Sequence, residues 1–564
     1  MPRSSGSLPT TALDSVKTLL AGTTPEGSDL RRFALNTGRF YTHEFIGRRL
    51  AKGISKALGA RLKGPVSIVD PFCGDGRLVA WFLEEIGTKP MARGTSLSVD
   101  LWDCDGAALR QAARRVQALS DDMGSVIVNS HHWDSFDGAR LQWGRFDFVL
   151  TNPPWELLKP DPRQMRGMPK DEALRFSKSL REEDRRLTGL YPASAPRIRY
   201  AGWGLNLSRC GTEAAVSLLK PGGLGGIVVP ASLFADNSSG GVRELLTTKF
   251  DLLSMDYFPS EAHLFPGTDQ PAVSALVRRS EPNGVSLDLT VFDRGLEIRS
   301  NGQLKISREE LERTDFVIPG QLPAKSYSIL RKLNRLGAFA ELEGASPADL
   351  VAGRELDETR IDERLSSRGT HRFVKGRMVT RFQSDLRSAR FLLPSVEVPP
   401  SAAHWRIAWR DVSRTTQARR VKATLLPPGV VTGNSLSIAY FRDDHMARLK
   451  TLLVIMNSAV FEFQMRLWLA TPHISLGGVR RGRLPASWSP KQLAGMARVC
   501  DGCLAGEPSS LIEAEVRVAQ AYGLDRREFG AILDEFGRLS THEKCHLLDS
   551  ACWERVPGWL ERSP

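Results

Sequence analysis

Two spacings of apolar residues run through the first half of the chain. Continuous runs rich in Val, Ile, Leu and Phe cover 66–70, 95–103, 125–130 and 146–151, each short enough for a strand buried on both faces. Amphipathic stretches with apolar positions three or four apart stand between them, as in 77–86 and 106–116. Strand alternating with helix predicts an α/β domain on a mostly parallel sheet. From about residue 325 that rhythm stops. Residues 340–440 carry short strand-like pieces, such as 373–382 and 405–410, separated by Pro, Gly and Ser. Helical spacing returns near the end, for example at 511–522 and 529–536. The expected divisions are a loose tail at 1–28, an α/β domain at 29–325, a second α+β domain at 326–490 and a helical segment at 491–564. A polar, Arg-rich insertion at 157–200 interrupts the α/β pattern.

Composition narrows the class of partner. The 564 residues are 41% hydrophobic and 25% charged, as in ordinary soluble proteins, and too many for one core. A net charge of +13 favours a polyanion. The most apolar run, 452–461, is interrupted by Asn457 and Ser458 and is too short to span a bilayer, so no membrane segment is expected. Met-Pro-Arg-Ser-Ser-Gly-Ser at the N-terminus has no hydrophobic signal core, and seven scattered cysteines read as reduced thiols, which together predict a cytoplasmic protein. Cys500 and Cys503 form one C-x-x-C with His542, Cys545 and Cys552 beyond it, but a second C-x-x-C is missing and no metal site is expected.

The chemistry concentrates where strands end. The run 146–151 breaks at Asn152-Pro153-Pro154-Trp155, because consecutive prolines cannot continue a ladder. This places an amide and an indole at the carboxyl end of a strand, where open α/β sheets bind ligands. The Asn152 amide oxygen and the Pro153 carbonyl can each accept an N–H from the exocyclic amine of a planar base. Trp155, exposed by the prolines, offers that base a face. Upstream, Asp70-Pro71-Phe-Cys73-Gly74-Asp-Gly76 is a strand tip followed by a turn that lets backbone approach a ligand before a helix begins. Asp70 there suits the amino group of a small zwitterion. Asp103, ending the second run, is placed to accept both hydroxyls of a ribose, whereas Asp105 suits a helix cap. Trp133-Asp134-Ser135-Phe136 ends the third run with an acid between aromatics, suited to an adenine amine and ring face. Before all of these, the loop 36–50 enters a helix with Thr42 as its expected N-cap, Phe45, Ile46 and Leu50 on its buried side, and a hydroxyl within reach of a cofactor.

These signals, taken in chain order, resemble the class I S-adenosylmethionine-dependent methyltransferases, specifically the gamma-type enzymes that methylate adenine N6 in DNA. The resemblance implies a Rossmann-like, mostly parallel seven-stranded sheet followed by an α+β target-recognition domain. It implies that Thr42, Asp70 and the Gly74–Gly76 turn hold the methionine part of S-adenosyl-L-methionine, that Asp103 holds its ribose and Asp134 its adenine amine, and that Tyr41, Pro71, Cys73, Cys104 and Ser135 also bind the cofactor. Asn152, Pro153, Pro154 and Trp155 would be the catalytic group, and Asn152 would also border the cofactor. Residues 202–208 and 221–230 are similar to the family's fifth strand unit, and 263–277 to its closing hairpin, where Phe265 would pack on a flipped base. His43 stands where the family usually has proline, a departure from the pattern.

In the second half, 432–437 and 472–485 resemble target-recognition domains of restriction-modification methyltransferases, with Arg377, Arg381, Arg410, Arg414, Arg480, Arg481 and Arg483 as candidate contacts to double-stranded DNA. The family setting implies a separate restriction nuclease or phage-defence subunit. The tail before Phe33 is too short to hold a nuclease, and monomer and dimer both stay open. The same tetrapeptide occurs in methyltransferases of rRNA guanine amines and of release-factor glutamine, and cytosine N4 is a further target of the same chemistry. A non-catalytic DNA-binding specificity subunit is the alternative from another class.

Overall fold

The computed structural model describes residues 41–58, 64–88, 95–123, 126–160, 165, 168–196, 204–414, 417–466, 473–485 and 488–560. The tail at 1–28, the start of the loop at 36–40, Gly202, Trp203 and Pro472 lie outside them. The chain divides into two compact units, Met1–Lys325 and Ser326–Pro564.

In the first unit, α1 (Glu44–Leu58) leads into β1 (Pro65–Asp70), α2 (Arg77–Gly87), β2 (Ser96–Asp103), α3 (Gly106–Met123), β3 (Val126–His132), α4 (Ser135–Leu141) and β4 (Phe146–Thr151). After β4 come α5 (Lys170–Leu190), α6 (Leu207–Ser217), β5 (Leu219–Pro230), α7 (Gly240–Thr248), β6 (Phe250–Phe258), β7 (Ala272–Arg279), β8 (Val285–Phe292) and β9 (Ile298–Ile306). They form one sheet in the order β3-β2-β1-β4-β5-β7-β6-β8-β9. The pairings among β3, β2, β1, β4 and β5 are parallel. β7 runs antiparallel to β5 and β6, β8 parallel to β6, and β9 antiparallel to β8. The sheet therefore has nine strands where the sequence predicts seven. β8 and β9 lie beyond the last strand predicted, and β9 is mostly exposed, so its residues carry little of the apolar signal that reveals a strand.

The central strands run as apolar blocks because helices cover both faces. Ile68, Val69, Val99, Leu101, Val149 and Leu150 are fully buried, and Ile68, Val99, Leu101 and Leu150 share one core cluster with Ile46 and Ile54 of α1 and Phe82 and Leu83 of α2. At roughly 1.5–3 kcal/mol per buried side chain of this size, the parallel strands are a stiff base for whatever sits on their ends. Register sets those ends level. Asp70 of β1 pairs with Leu101, two residues before Asp103, and Val69 pairs with Val149, three before Asn152.

The polar insertion at 157–200 contains a helix, α5. Leu180, Glu183, Asp184 and Leu187 of α5 are buried. The Leu158 N–H donates to Leu205 O at 2.9 Å, and the Leu207 N–H to Glu156 O at 2.8 Å, so the excursion leaves and returns through one short backbone ladder.

The second unit carries two four-stranded sheets. One is ordered β10 (Leu350–Gly353), β17 (Leu436–Phe441), β14 (Arg406–Arg410), β15 (Ala423–Leu426). The other is β11 (Leu365–Ser366), β13 (Arg390–Leu392), β12 (Arg372–Val374), β16 (Val430–Thr432). The run 373–382 is only briefly a strand, breaking at a 3₁₀ turn, Gly376–Met378. Helices follow at Pro490–Ala505, Pro508–Ala521, Arg526–Asp534 and Thr541–Leu548. A buried ionic knot ties sheet to helices. Arg419 pairs with Glu462 at 3.1 Å and Glu515 at 2.6 Å, and Arg381 pairs with Glu515 at 2.7 Å. Among the described residues, no helix is long and apolar enough to cross a membrane, and no cluster of His, Cys, Asp and Glu could hold a metal ion. Cys500 and Cys503 are buried on one helix, where burial pushes both thiols up, Cys503 to about 12.

Candidate active site

Asp70 ends β1 almost fully buried, accepting the Phe72 N–H at 3.1 Å. Desolvation pushes its carboxyl well above the usual range, against the Phe72 bond and with help from the charges of Asp103 and Asp75. Such a group becomes ionised when a cation arrives to pay for it. Pro71 and Cys73 are buried beside it, and burial, reinforced by Asp70 and Asp103, pushes the Cys73 thiol far up.

The turn is held by backbone. The Cys73 N–H donates to Trp102 O at 3.0 Å, the Gly76 N–H to Cys73 O at 2.8 Å, and the Gly74 N–H to Asp103 Oδ2 at 2.9 Å. Gly74 and Gly76 have φ of 52° and 75°, the left-handed region that glycine enters without strain. A Cβ on Gly76 would lie 2.8 Å from Ala112 of α3, and one on Gly74 would lie 3.1 Å from the Tyr41 ring. The two glycines thus let α3 and the Tyr41 ring pack close against the turn. Asp103 accepts the Asp105 N–H at 2.8 Å on its other oxygen, so it braces both the Gly turn and the start of α3. Cys104 is partly buried, its carbonyl 3.0 Å from His132 Nε2.

The segment Tyr41-Thr42 covers this turn. The Arg77 guanidinium lies 4.9 Å from the Tyr41 ring centre. Thr42 does not cap α1, contrary to the sequence expectation. His43 takes that position, its carbonyl accepting the Gly47 N–H at 3.1 Å and its ring Nδ1 the Phe45 N–H at 3.2 Å. The buried Thr42 hydroxyl instead accepts from Asn152 Nδ2 at 3.1 Å. That contact brings the first and last of the motifs together across 110 residues.

Asp134 caps α4, accepting the Phe136 N–H at 2.9 Å, with Ser135 buried beside it. Its second oxygen receives Arg186 Nη2 from α5 at 2.8 Å, and the same guanidinium reaches Asp137 and the buried Glu183. The acid expected at an adenine amine is therefore shared with an arginine of the insertion. No pattern in the sequence pointed to Arg186.

Trp155 is 7% exposed and Phe265 3%, with ring centroids 4.5 Å apart and planes at 50°. This corrects the expectation that the prolines expose Trp155. The chain after Pro154 folds back into the ladder with 205–207, and Phe265 closes over the indole. A base held between these rings would need a gap of about 7 Å, two van der Waals contacts. The rings fill that gap themselves. His263, two residues before it, has φ of 50°, a strained left-handed value for a non-glycine residue. Beneath the turn, a Cβ on Gly211 of α6 would lie 2.3 Å from the Pro153 Cβ and 3.2 Å from Phe72. Gly211 was missed in the sequence, though a glycine inside an apolar helix is the mark of close backbone approach.

The arginines of the second unit divide. Arg381 is committed to Glu515 and to Asn457 O, and desolvation with the neighbouring Arg419 lowers it to about 10. Arg410 donates to the carbonyls of Val379 and Arg377, Arg480 forks onto Glu343 at 2.6 and 2.7 Å, and Arg483 donates to Leu336 O. Arg481 is partly buried, while Arg377 and Arg414 are exposed. Interleaved basic and aromatic residues looked alike in sequence, and only packing separates those that hold the unit together.

No family model and no curated protein matches this chain. Solved structures do. The type IIL restriction-modification enzyme MmeI in complex with DNA aligns at TM-score 0.51 and 11% identity, over 96% of this chain and 78% of that one. The type IIG restriction endonuclease BpuSI aligns over 93% and 68% at 14% identity, TM-score 0.41. The methyltransferase subunit of a type I restriction-modification system from Streptococcus thermophilus aligns over 54% and 66% at 17% identity, TM-score 0.33. At these identities the likeness is one of fold. The first unit has an α/β fold with a mostly parallel sheet, and an α+β unit follows it.

Proposed function

We propose that this chain transfers a methyl group from S-adenosyl-L-methionine to the N6 amine of adenine at specific sites in double-stranded DNA, as the modifying activity of a restriction-modification or phage-defence system. The observation that carries this reading is Asn152-Pro153 at the end of β4, with the Asn152 amide tied to Thr42 beside the Gly74–Gly76 turn. The Gly74–Gly76 turn, the buried Asp70 and the Asp103 carboxylate fit the methionine and ribose parts of that cofactor. Asp134 fits its adenine amine only by sharing an oxygen with Arg186. When bound, S-adenosylmethionine supplies a methyl made electrophilic by its sulfonium.

The chain's own task is to position and tune the amine. Adenine's amino lone pair is delocalised into the ring. Asn152 Oδ1 and the Pro153 carbonyl accept its two N–H bonds and favour the geometry in which nitrogen becomes tetrahedral, an interaction that strengthens in the transition state. Proline lacks an N–H and so adds no competing donor. The target atom is buried in a duplex, so the base is flipped at a cost of a few kcal/mol. Phe265 moves off Trp155 and the base takes its place. The second unit reads the target, with Arg377 and Arg414 reaching phosphate. The fold likeness to MmeI, itself solved with DNA, supports this choice of substrate, and a separate nuclease completes the system.

The test is methylation of mixed-sequence duplex DNA with labelled S-adenosylmethionine, wild type beside Asn152→Ala, with product nucleosides read by mass spectrometry. N6-methyladenine formed by the wild type and lost in the variant is the expected result. N4-methylcytosine, or label in RNA only, replaces the substrate, and neither label nor cofactor binding overturns the enzyme reading in favour of a specificity subunit.

A further inference from the structure

We infer that Thr42 is a positioning residue for Asn152, acting on the reaction through the amide and beyond any contact of its own with the cofactor; this rests on the function proposed above. Three observations place it there. Thr42 is buried although it is a polar residue in a loop, and its hydroxyl is not spent on capping α1, because His43 does that. The hydroxyl oxygen lies 3.1 Å from Asn152 Nδ2. The loop that carries it is itself pinned, by the Arg77 guanidinium over Tyr41 and by Arg77 Nη1 donating to Thr42 O at 3.5 Å.

The chemistry explains why a catalytic asparagine needs such a partner. Its amide has an oxygen face that accepts and a nitrogen face that donates, nearly equal in shape. Rotated by half a turn, it would present N–H to an amine that needs an acceptor. With Nδ2 committed to Thr42, the oxygen is turned to the opposite side of the amide and the two side-chain torsions of Asn152 are held. Catalytic geometry tolerates an error of only about 0.5 Å or 10–20°. A bond that reaches across 110 residues also makes the height of the amide depend on where the Tyr41-Thr42 loop sits over the Gly turn.

Thr42→Val keeps the shape and removes the acceptor, and Thr42→Ser keeps the acceptor. The experiment measures single-turnover methylation of duplex DNA, cofactor affinity by equilibrium dialysis with labelled S-adenosylmethionine, and melting temperature, for both variants, for Asn152→Ala and for Thr42→Val with Asn152→Ala. We expect Thr42→Val to slow methyl transfer roughly 10- to 100-fold while cofactor affinity changes less than about threefold, and Thr42→Ser to restore the rate. The melting shifts of the two single variants should be non-additive in the double variant, as for residues in contact. Equal rates for Thr42→Val and wild type overturn the inference, as do rate and affinity lost in the same proportion, which would make Thr42 a cofactor ligand only. Coupled melting shifts in a protein that methylates no nucleic acid overturn the methyl-transfer reading and, with it, the positioning role, leaving a structural contact.

Discussion

Substituting alanine for Gly211 tests whether the Asn152-Pro153 turn is set by the helix beneath it. The added Cβ would stand 2.3 Å from the Pro153 Cβ, with Phe72 ring carbons at 3.2 and 3.4 Å. Ordinary carbon contacts lie at about 3.5–4.0 Å, so the turn or α6 must give way by more than ~1 Å. Pro153 has a rigid ring, Phe72 closes the other side, and α6 is buried along almost its whole length, so no flexible side-chain tip is available to yield. Overpacking of this kind costs about 1–3 kcal/mol, or a fall in melting temperature of roughly 2–4 °C per kcal/mol for a unit near this size. The effect on rate should be larger than that on stability, because a displacement of about 1 Å in a positioned group costs on the order of 100-fold. Gly189 of α5 is the control, since a Cβ there meets nothing within 4 Å and Gly189→Ala should leave both quantities near wild type or slightly raise stability. Single-turnover methylation and thermal melting of both variants decide the matter. If Gly211→Ala melts several degrees lower yet methylates at the wild-type rate, α6 absorbs the strain and does not set the turn. If neither quantity changes, the close approach itself is refuted.

Three further outcomes follow from charges the fold has buried. The raised carboxyl of Asp70 means that the native chain keeps a proton at pH values where the unfolded chain has lost it; its contribution to stability is fully present below the unfolded value and is lost as pH rises through the folded one. Asp70→Asn should therefore raise the melting temperature of the free protein at neutral pH and flatten its fall as pH rises above the ordinary carboxylate range, while weakening S-adenosylmethionine binding; an unchanged pH slope contradicts this. Burial alone would raise Glu515, but the charges of Arg419 and Arg381 outweigh it and hold the carboxyl low. Glu515→Gln should thus cost about 3–5 kcal/mol, read from the denaturant midpoint, and a midpoint near wild type would show that Glu462 suffices. Arg186→Ala frees one oxygen of Asp134 and loosens α5, with a loss of about 1 kcal/mol or less per partly exposed pair. Protease cleavage within 170–190 should rise, and indifference to protease would show that Leu180 and Leu187 anchor the helix without it.

Local pattern determined the α/β fold class and the places where the first strands stop. Blocks of β-branched and aromatic residues must be buried, and Gly or Pro-Pro must end them, whatever the rest of the chain does; β1 and β4 are found where those rules put them. The same rules offered no purchase on β8 and β9, on the order of α5 within a polar insertion, or on the burial of Trp155, because each depends on what packs against it. Which hydroxyl reaches Asn152, which arginine holds Asp134, and which of seven arginines remain exposed are questions of distance between residues far apart in sequence. Covalent connectivity constrains neighbours over a few residues, whereas a hydrogen bond or an ion pair acts over about 3 Å, so tertiary structure alone decided those partners.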